Sequence, residues 1–372
     1  MSAATNPGSA SSLPANANPP WPLVGHQRAV SSLQHALASG HVAHAYLIVG
    51  PPQVGKQTLA RAFAQTLNCQ SAPPVGQAIR LAPCAACPSC LRIARDQHPD
   101  VMYVDPANQR AFLEGSKYSR STISERAIIV DTSREIRDQL TSRPYEAPYK
   151  LAIIAGAETM RDEAANALLK TLEEPPRWAV IVLLAPNEGS VLATIRSRCQ
   201  LLSLRPVPRA EVAAALVQRK VVAEQADLLA ALSEGRAGWA IEAASNPTAA
   251  LAERDEQLTA IIGLTKAAVS LADRFAYAAK LATDYGKGLL GRASVYAALD
   301  LWQGWCRDLL LTNSGQLGLV TNLDRRVALQ EQAARLDPAR CLALLAAIRT
   351  SHSQLDSNVN PRLVLEGLML AL

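Results

Sequence analysis

From Trp21 to Leu204, short apolar runs alternate with stretches whose apolar residues recur at helical spacing. Val30, Leu33, Leu37 and Ala38 form the stripe of a first helix, which Gly40 closes. His44 to Val49 is a β-branched and aromatic run that reads as a strand, and Gln57 to Asn68 reads as a helix. Further strands are predicted at Val101–Asp105, Lys150–Ile154, Val180–Leu184 and Gln200–Leu204. Between them, Ser133–Thr141 reads as a helix capped by its serine, and Asn108–Arg126 as a long exposed loop. Arg161–Glu174 carries Ala164, Ala165, Leu168, Leu169 and Leu172 on one helical face, and Pro175-Pro176 stops it. Strands alternating with helices predict an α/β fold with a parallel sheet covered by helices.

After Pro206 the pattern changes, and no later stretch reads as a strand. Glu211–Lys220, Glu224–Ser233 and Trp239–Ala244 predict short helices. Longer Ala/Leu-rich helices follow, including Ala293–Leu311 and Pro338–Leu355, the second opened by Asp337 as cap. The expected organisation is a disordered tail over 1–20 and an α/β domain over 21–206. A small helical domain over 207–246 and an all-helical domain over 247–372 complete it.

Composition narrows this picture only a little. The 372 residues accommodate two or three domains at roughly 100–200 residues each. Hydrophobic residues make up 49% and charged residues 19%, enough for a sizeable core. A net charge of +5 is compatible with a nucleic-acid-facing surface and equally with a solvated basic face. No apolar run approaches the roughly 18–20 residues of a membrane span. The start lacks a basic stretch followed by an apolar core, so a cytoplasmic, non-membrane protein is expected. Seven cysteines, several in tight spacing, then point to metal rather than disulfides.

Candidate chemistry lies in four places. Gly50-Pro51-Pro52-Gln53-Val54-Gly55-Lys56-Gln57-Thr58 reads as a phosphate-binding loop between a strand and a helix. In such a loop backbone N–H groups cradle phosphates, the lysine reaches the β/γ oxygens, and a hydroxyl holds Mg²⁺. Gly50, Gly55 and Lys56 are in place, but the hydroxyl position is Gln57, with Thr58 one residue late. Hydrolysis further needs an acid at the end of a neighbouring strand to hold the metal, and a group that orients water. Leu151-Ala152-Ile153-Ile154 instead runs into Ala155 and Gly156, with Glu158 two residues beyond the usual position. These departures together argue against catalysis at this loop.

Cys69, Cys84, Cys87 and Cys90 place three thiols in C-x-x-C-x-x-C spacing with a fourth upstream, which can close a tetrahedral Zn²⁺ site. Clustered free thiols are the other reading, while an iron–sulfur run would need a C-x₃-C-P ending that is missing. Cys199, Cys306 and Cys341 are isolated and read as packing residues. Finally, Arg198 in Ser197-Arg198-Cys199 sits at a strand edge. It reads as a surface guanidinium or as an arginine finger for a neighbouring subunit's γ-phosphate.

These stretches together carry a resemblance. Gly25-His26-Gln27, His44-Ala45-Tyr46-Leu47, the four cysteines, Asn166 to Pro176 and Thr194 to Cys199 are similar to the bacterial DNA polymerase III clamp-loader subunits, in that family's order. Trp305-Cys306-Arg307-Asp308-Leu309-Leu310 looks like the collar of its delta-prime type. The resemblance implies an AAA+ P-loop module (21–206, zinc module 69–90), a helical lid (207–246) and a helical collar (247–372). Such subunits form an open ring that places the sliding clamp on primer–template DNA. Gln57, Ala155 and Gly156 depart from the ATP-hydrolysing gamma/tau type, and Gly238 stands where its lid carries a sensing arginine.

The resemblance therefore implies a non-hydrolysing, delta-prime-like subunit. It implies Arg198 as a finger acting in trans, structural zinc on the four cysteines, and gamma/tau and delta subunits as partners. Gly50, Gly55, Lys56 and Thr58 would be the remains of a nucleotide pocket. Two other readings stand beside it. One is an active gamma/tau-type ATPase using Thr58 and Glu158 as displaced ligands; the other is a zinc-dependent nucleic-acid-binding module with a relic P-loop.

Overall fold

The computed structural model describes residues 21–71, 73, 79–119, 123, 127–266, 268–357 and 359–372. The tail expected over 1–20 lies outside the described residues. The chain divides after Pro206 into two compact units.

The first unit is built on a five-stranded, wholly parallel sheet in the order β2-β3-β4-β1-β5. Its strands are β1 (Ala45–Val49), β2 (Val101–Val104), β3 (Lys150–Ala155), β4 (Ala179–Ala185) and β5 (Gln200–Ser203). The helices between them are α1 (Gln27–Ser39), α2 (Lys56–Leu67), α3 (Pro88–Ala94), α4 (Gln109–Phe112), α5 (Val130–Thr141), α6 (Asp162–Glu173) and α7 (Ala193–Arg196). Strand β1 is buried at every position because helices cover both faces of the sheet. Tyr46 and Ile48 pack with Val30, Leu33, Leu59 and Phe63 of α1 and α2. Ala45, Leu47 and Val49 point the other way, into a core with Ile136 and Leu140 of α5 and Leu168 and Leu172 of α6. Sheet order, parallel pairing and the glycine loop after β1 make this unit a parallel α/β module, as the alternating pattern leads one to expect.

Two expectations need correcting. Helix α5 begins at Val130 rather than Ser133, and its N-terminal residue Ile129 offers no side-chain cap. Ser133 is fully buried inside the helix. The capping acceptor comes from another element: Gln109 Oε1 accepts from Ile129 N at 3.2 Å and Thr132 Oγ1 at 2.9 Å. The region Asn108–Arg126 is not simply an exposed loop either. Asp105 Oδ1 accepts from Ala107 N and Asn108 N, a turn that starts α4, and Leu113 and Ile123 are buried. Residues 120–122 and 124–126 of that stretch lie outside the described residues.

The turn that leads into β3 hangs on one buried carboxylate. Asp100 is fully buried and accepts from the backbone N–H groups of Tyr145 (2.6 Å), Glu146 (2.9 Å) and Ala147 (3.1 Å). Burial alone would raise its pKa, but these three donors hold the carboxyl below its ordinary range. Asp100→Asn should destabilise this unit by about 2–3 kcal/mol, the scale of hydrogen bonds to a charged group. Because the folded carboxyl sits low, this contribution is complete above the ordinary carboxylate range and fades as pH falls through the depressed value. Urea unfolding of both proteins at neutral and acid pH should show the gap closing on acidification; a gap that widens would refute the assignment.

The second unit, Val207–Leu372, is built of helices joined by loops, with no strand among its described residues. Helices α8 (Arg209–Gln218), α9 (Ala223–Leu232) and α10 (Ala237–Ser245) pack on one another through Val212, Leu216, Leu229 and Ala240, all buried. Asn246 both ends α10 and caps α11 (Pro247–Leu264), accepting from Ala249 N at 3.3 Å. Helices α12 (Leu271–Tyr285), α13 (Leu289–Asn313), α14 (Arg326–Ala333), α15 (Pro338–Asp356) and α16 (Pro361–Ala371) complete the unit. Their core centres on Trp302 and Trp305 of α13 with Leu344, Ile348, Leu365 and Met369. Asp337 caps α15 as the sequence indicates, accepting from Arg340 N at 2.6 Å. Cys306 and Cys341 lie buried in this core. Among the described residues no helix is long and apolar enough to cross a membrane.

Candidate functional site

The loop from Gly50 to Lys56 leaves the carboxyl end of β1, between β4 and β5, where open parallel sheets bind ligands. Lys56 opens α2, and its ammonium turns back onto the loop, donating to the carbonyls of Gly50 (2.5 Å) and Pro51 (2.8 Å). Burial lowers its pKa, and the charge of Glu158 opposes that shift. Glu158 shifts the other way: its surroundings raise the carboxyl, and Lys56 pulls it back. Leu23, from the segment before α1, lies against Gly55. His26 Nε2 bonds with Val54 O at 3.0 Å.

The hydroxyl that would ligate a metal is absent from this loop. Thr58 is exposed on α2, and Gln57 is committed elsewhere. With its amide turned so that the oxygen faces these donors, Gln57 accepts from Arg61 Nη1 (2.9 Å), Arg61 Nη2 (2.8 Å) and Tyr103 Oη (2.9 Å). Arg61 in turn grips Asp96 with two hydrogen bonds, of 3.0 and 2.6 Å, and stacks its guanidinium 4.7 Å from the Tyr103 ring centre.

Past β3 the departure from a hydrolytic site reaches the backbone. Gly156 adopts φ +76°, and a Cβ there would come within 3.2 Å of Pro106 Cδ. An acid at this position would therefore be strained as well as missing. Ala155 offers no oxygen ligand, and Glu158 lies in a short 3₁₀ turn beyond it.

Arg198 follows α7, whose Ile195 is buried against the sheet. Its guanidinium is half-buried and tied down on one side. Nη1 donates to Thr194 O (2.9 Å) and Ser197 Oγ (3.2 Å), while Nη2 donates to Glu173 Oε1 at 2.7 Å. Glu173 is the last residue of α6, just ahead of Pro175-Pro176. The sequence singles out Arg198 but not Glu173, since 25 residues separate them and no local pattern links them. Beside them burial pushes the Cys199 thiol up to about 11. In the second unit Arg236, two residues before Gly238, donates through Nε to Ser233 O at 3.0 Å.

The four cysteines converge. Their Sγ atoms all lie within 4.8 Å of one another, with Cys84–Cys90 at 3.8 Å and Cys69–Cys87 at 4.0 Å. Tetrahedral Zn–S bonds of about 2.3 Å separate sulfurs by about 3.8 Å, so the donor set fits that ion. Ala85 takes a left-handed φ of 56°, and the following amides face sulfur: Cys87 N lies 3.2 Å and Ala86 N 3.5 Å from Cys84 Sγ. Ser71 Oγ donates to the same sulfur at 3.2 Å. Burial opposes ionisation of Cys84, but these donors bring its thiol down to about 6. Cys87 also caps α3, its sulfur accepting from Cys90 N at 3.4 Å. Cys69, Cys84, Cys87 and Cys90 together connect the end of α2 to the start of α3.

Similarity to known proteins covers both units. Residues 25–208 match the family described as DNA polymerase III, delta subunit. The tau subunit of Bacillus subtilis is 34% identical over 178 residues, 48% of this chain and 27% of the relative, so the chain spans little more than a quarter of that protein. A gamma subunit-related protein of Thermotoga maritima aligns with 92% of this chain and 97% of its own at a TM-score of 0.41 and 20% identity. The delta' subunit of Escherichia coli is 30% identical over 363 residues, 94% of each chain. On that near full-length match the chain belongs to the DNA polymerase III delta' family.

Proposed function

We propose that this chain is a non-hydrolysing subunit of a bacterial clamp loader, working beside gamma/tau-type ATPase subunits and a delta-type subunit. The reading is carried by one observation: the end of β3 offers Ala155 and a left-handed, crowded Gly156 where hydrolysis requires oxygen ligands. The loop at Gly50, Gly55 and Lys56 then serves as a rigid strand-to-helix turn, its lysine satisfied by the loop's own carbonyls. Thr58 takes no part in it. Arg198 is the residue offered outward, a guanidinium supplied in trans to a neighbour's ATP, where it stabilises charge on the transferring phosphoryl group. Residues 207–246 act as the lid and 247–372 as the collar through which the ring is held. The sliding clamp and primer–template DNA are reached through the assembled complex, in the cytoplasm.

Zinc, where bound, would be held by Cys69, Cys84, Cys87 and Cys90 as a closed four-thiolate site, which leaves no position for a substrate. Its role is to cross-link the loop that interrupts the α/β rhythm after α2.

The purified chain with Mg²⁺ and ATP should show no turnover above background. Lys56→Ala in a complex reconstituted with gamma/tau-type subunits should leave the DNA-stimulated ATPase unchanged. Turnover by the chain alone, lost on Lys56→Ala, would replace this reading with that of an active ATPase. Tight, salt-sensitive DNA binding by the isolated chain, lost on Cys87→Ser, would favour a zinc-dependent nucleic-acid module instead.

A further inference from the structure

We propose that Glu173 is a positioning residue for Arg198, fixing the guanidinium before a neighbouring subunit's phosphate arrives. The inference rests on the arginine-finger reading of Arg198. An arginine side chain carries about 2 kcal/mol of rotamer entropy, so a finger left free would have to be ordered at each encounter. Arg198 is not left free. Thr194 O and Ser197 Oγ take both Nη1 protons, and Glu173 Oε1 takes one Nη2 proton. A guanidinium has five N–H donors, so Nε–H and one Nη2–H remain, enough for a two-point grip on a phosphate.

The Nη1 contacts come from α7 and its end, so they move with Arg198. Among the described residues Glu173 is the one partner from a different element, and it references the guanidinium to α6 and the sheet. Its position is itself well fixed, because Leu172 is buried in the core and Pro175-Pro176 ends the helix immediately after. Both side chains stay partly exposed, at 35% for Arg198 and 51% for Glu173. Such a pair biases the rotamer without burying the charge that the phosphate must meet.

The test uses the complex reconstituted with gamma/tau-type subunits. Glu173→Ala should lower its DNA-stimulated kcat about two- to five-fold, the range over which an exposed ion pair shifts a population. KM for ATP and complex assembly should not change. Glu173→Gln, whose amide oxygen still accepts from Nη2, should restore most of the rate. In an Arg198→Ala background Glu173→Ala should have no further effect. If Arg198→Ala itself leaves the ATPase intact, the finger reading fails and this inference with it. If Arg198→Ala is damaging but Glu173→Ala is neutral, accelerating or equally damaging without the arginine, only the positioning role is overturned. Failure of Glu173→Gln to restore the rate overturns it as well.

Discussion

Arg198→Ala should leave the chain folded and the clamp-loader complex assembled, yet remove most of the DNA- and clamp-stimulated ATPase at the site the arginine serves. The expected loss at that site is about 10³-fold, the lower end of what a trans-acting arginine contributes to phosphoryl transfer. Stability should hardly change. The side chain's partners are an exposed carboxylate, a helix carbonyl and a hydroxyl that water can replace, and surface substitutions of this kind stay within about 0.5 kcal/mol. Arg198→Lys should not rescue, because an ammonium lacks the planar fork and cannot keep three protein contacts while gripping phosphate. Single-turnover ATPase of complexes carrying wild-type, Ala and Lys subunits checks this directly. An unchanged rate in the Ala complex would remove Arg198 from the mechanism, whatever its geometry.

The contrast between Arg198 and Lys56 shows what a sequence discloses about a site of this kind. Strand β1, the glycine loop and α2 were legible because they rest on local rules: a β-branched run, a loop pattern and a helical stripe. The departures at Gln57, Ala155 and Gly156 were legible too, since each can be read one position at a time. The engagements of these side chains could not be read that way. Gln57 is bound by Arg61 and Tyr103, Gly156 is left-handed beneath Pro106, and Lys56 faces its own loop. Each depends on elements brought together only by the fold.

The same rule explains the helix boundaries. The sequence offers Ser133 as a cap for α5, but the acceptor is Gln109, more than twenty residues upstream in α4. The partnership of Glu173 with Arg198 and the clamp of Asp100 on residues 145–147 are silent in sequence for the same reason. The cysteines lie between these cases. Three share a local spacing, while Cys69 joins them only because the end of α2 returns to the start of α3.

Cys87→Ser should produce the largest change in stability. Wild-type chain prepared without chelator should carry about one zinc, measured by mass spectrometry or a colorimetric thiol-release assay. Cys87 occupies two roles, as one of the clustered sulfurs and as the N-cap of α3, and serine keeps the capping role while losing the thiolate. The loss should therefore report on metal rather than on helix capping. Losing a ligand should cost metal affinity more than the roughly 10–100-fold of a lost outer hydrogen bond. A hundredfold loss corresponds by linkage to about 2.7 kcal/mol of stabilisation. For a unit of this size that is a fall in Tm of about 5–10 °C.

Ser71→Ala tests the outer layer of the same site. It removes one donor to Cys84 Sγ and should weaken zinc about tenfold while leaving the thiolates in place. Cys199→Ser, outside the cluster, should keep full zinc content and supplies the control. The same four sulfurs unliganded make a different forecast. If the site is only a cluster of free thiols, Cys87→Ser and chelator treatment would leave Tm untouched, and the cross-link between α2 and α3 would have to be assigned to packing alone.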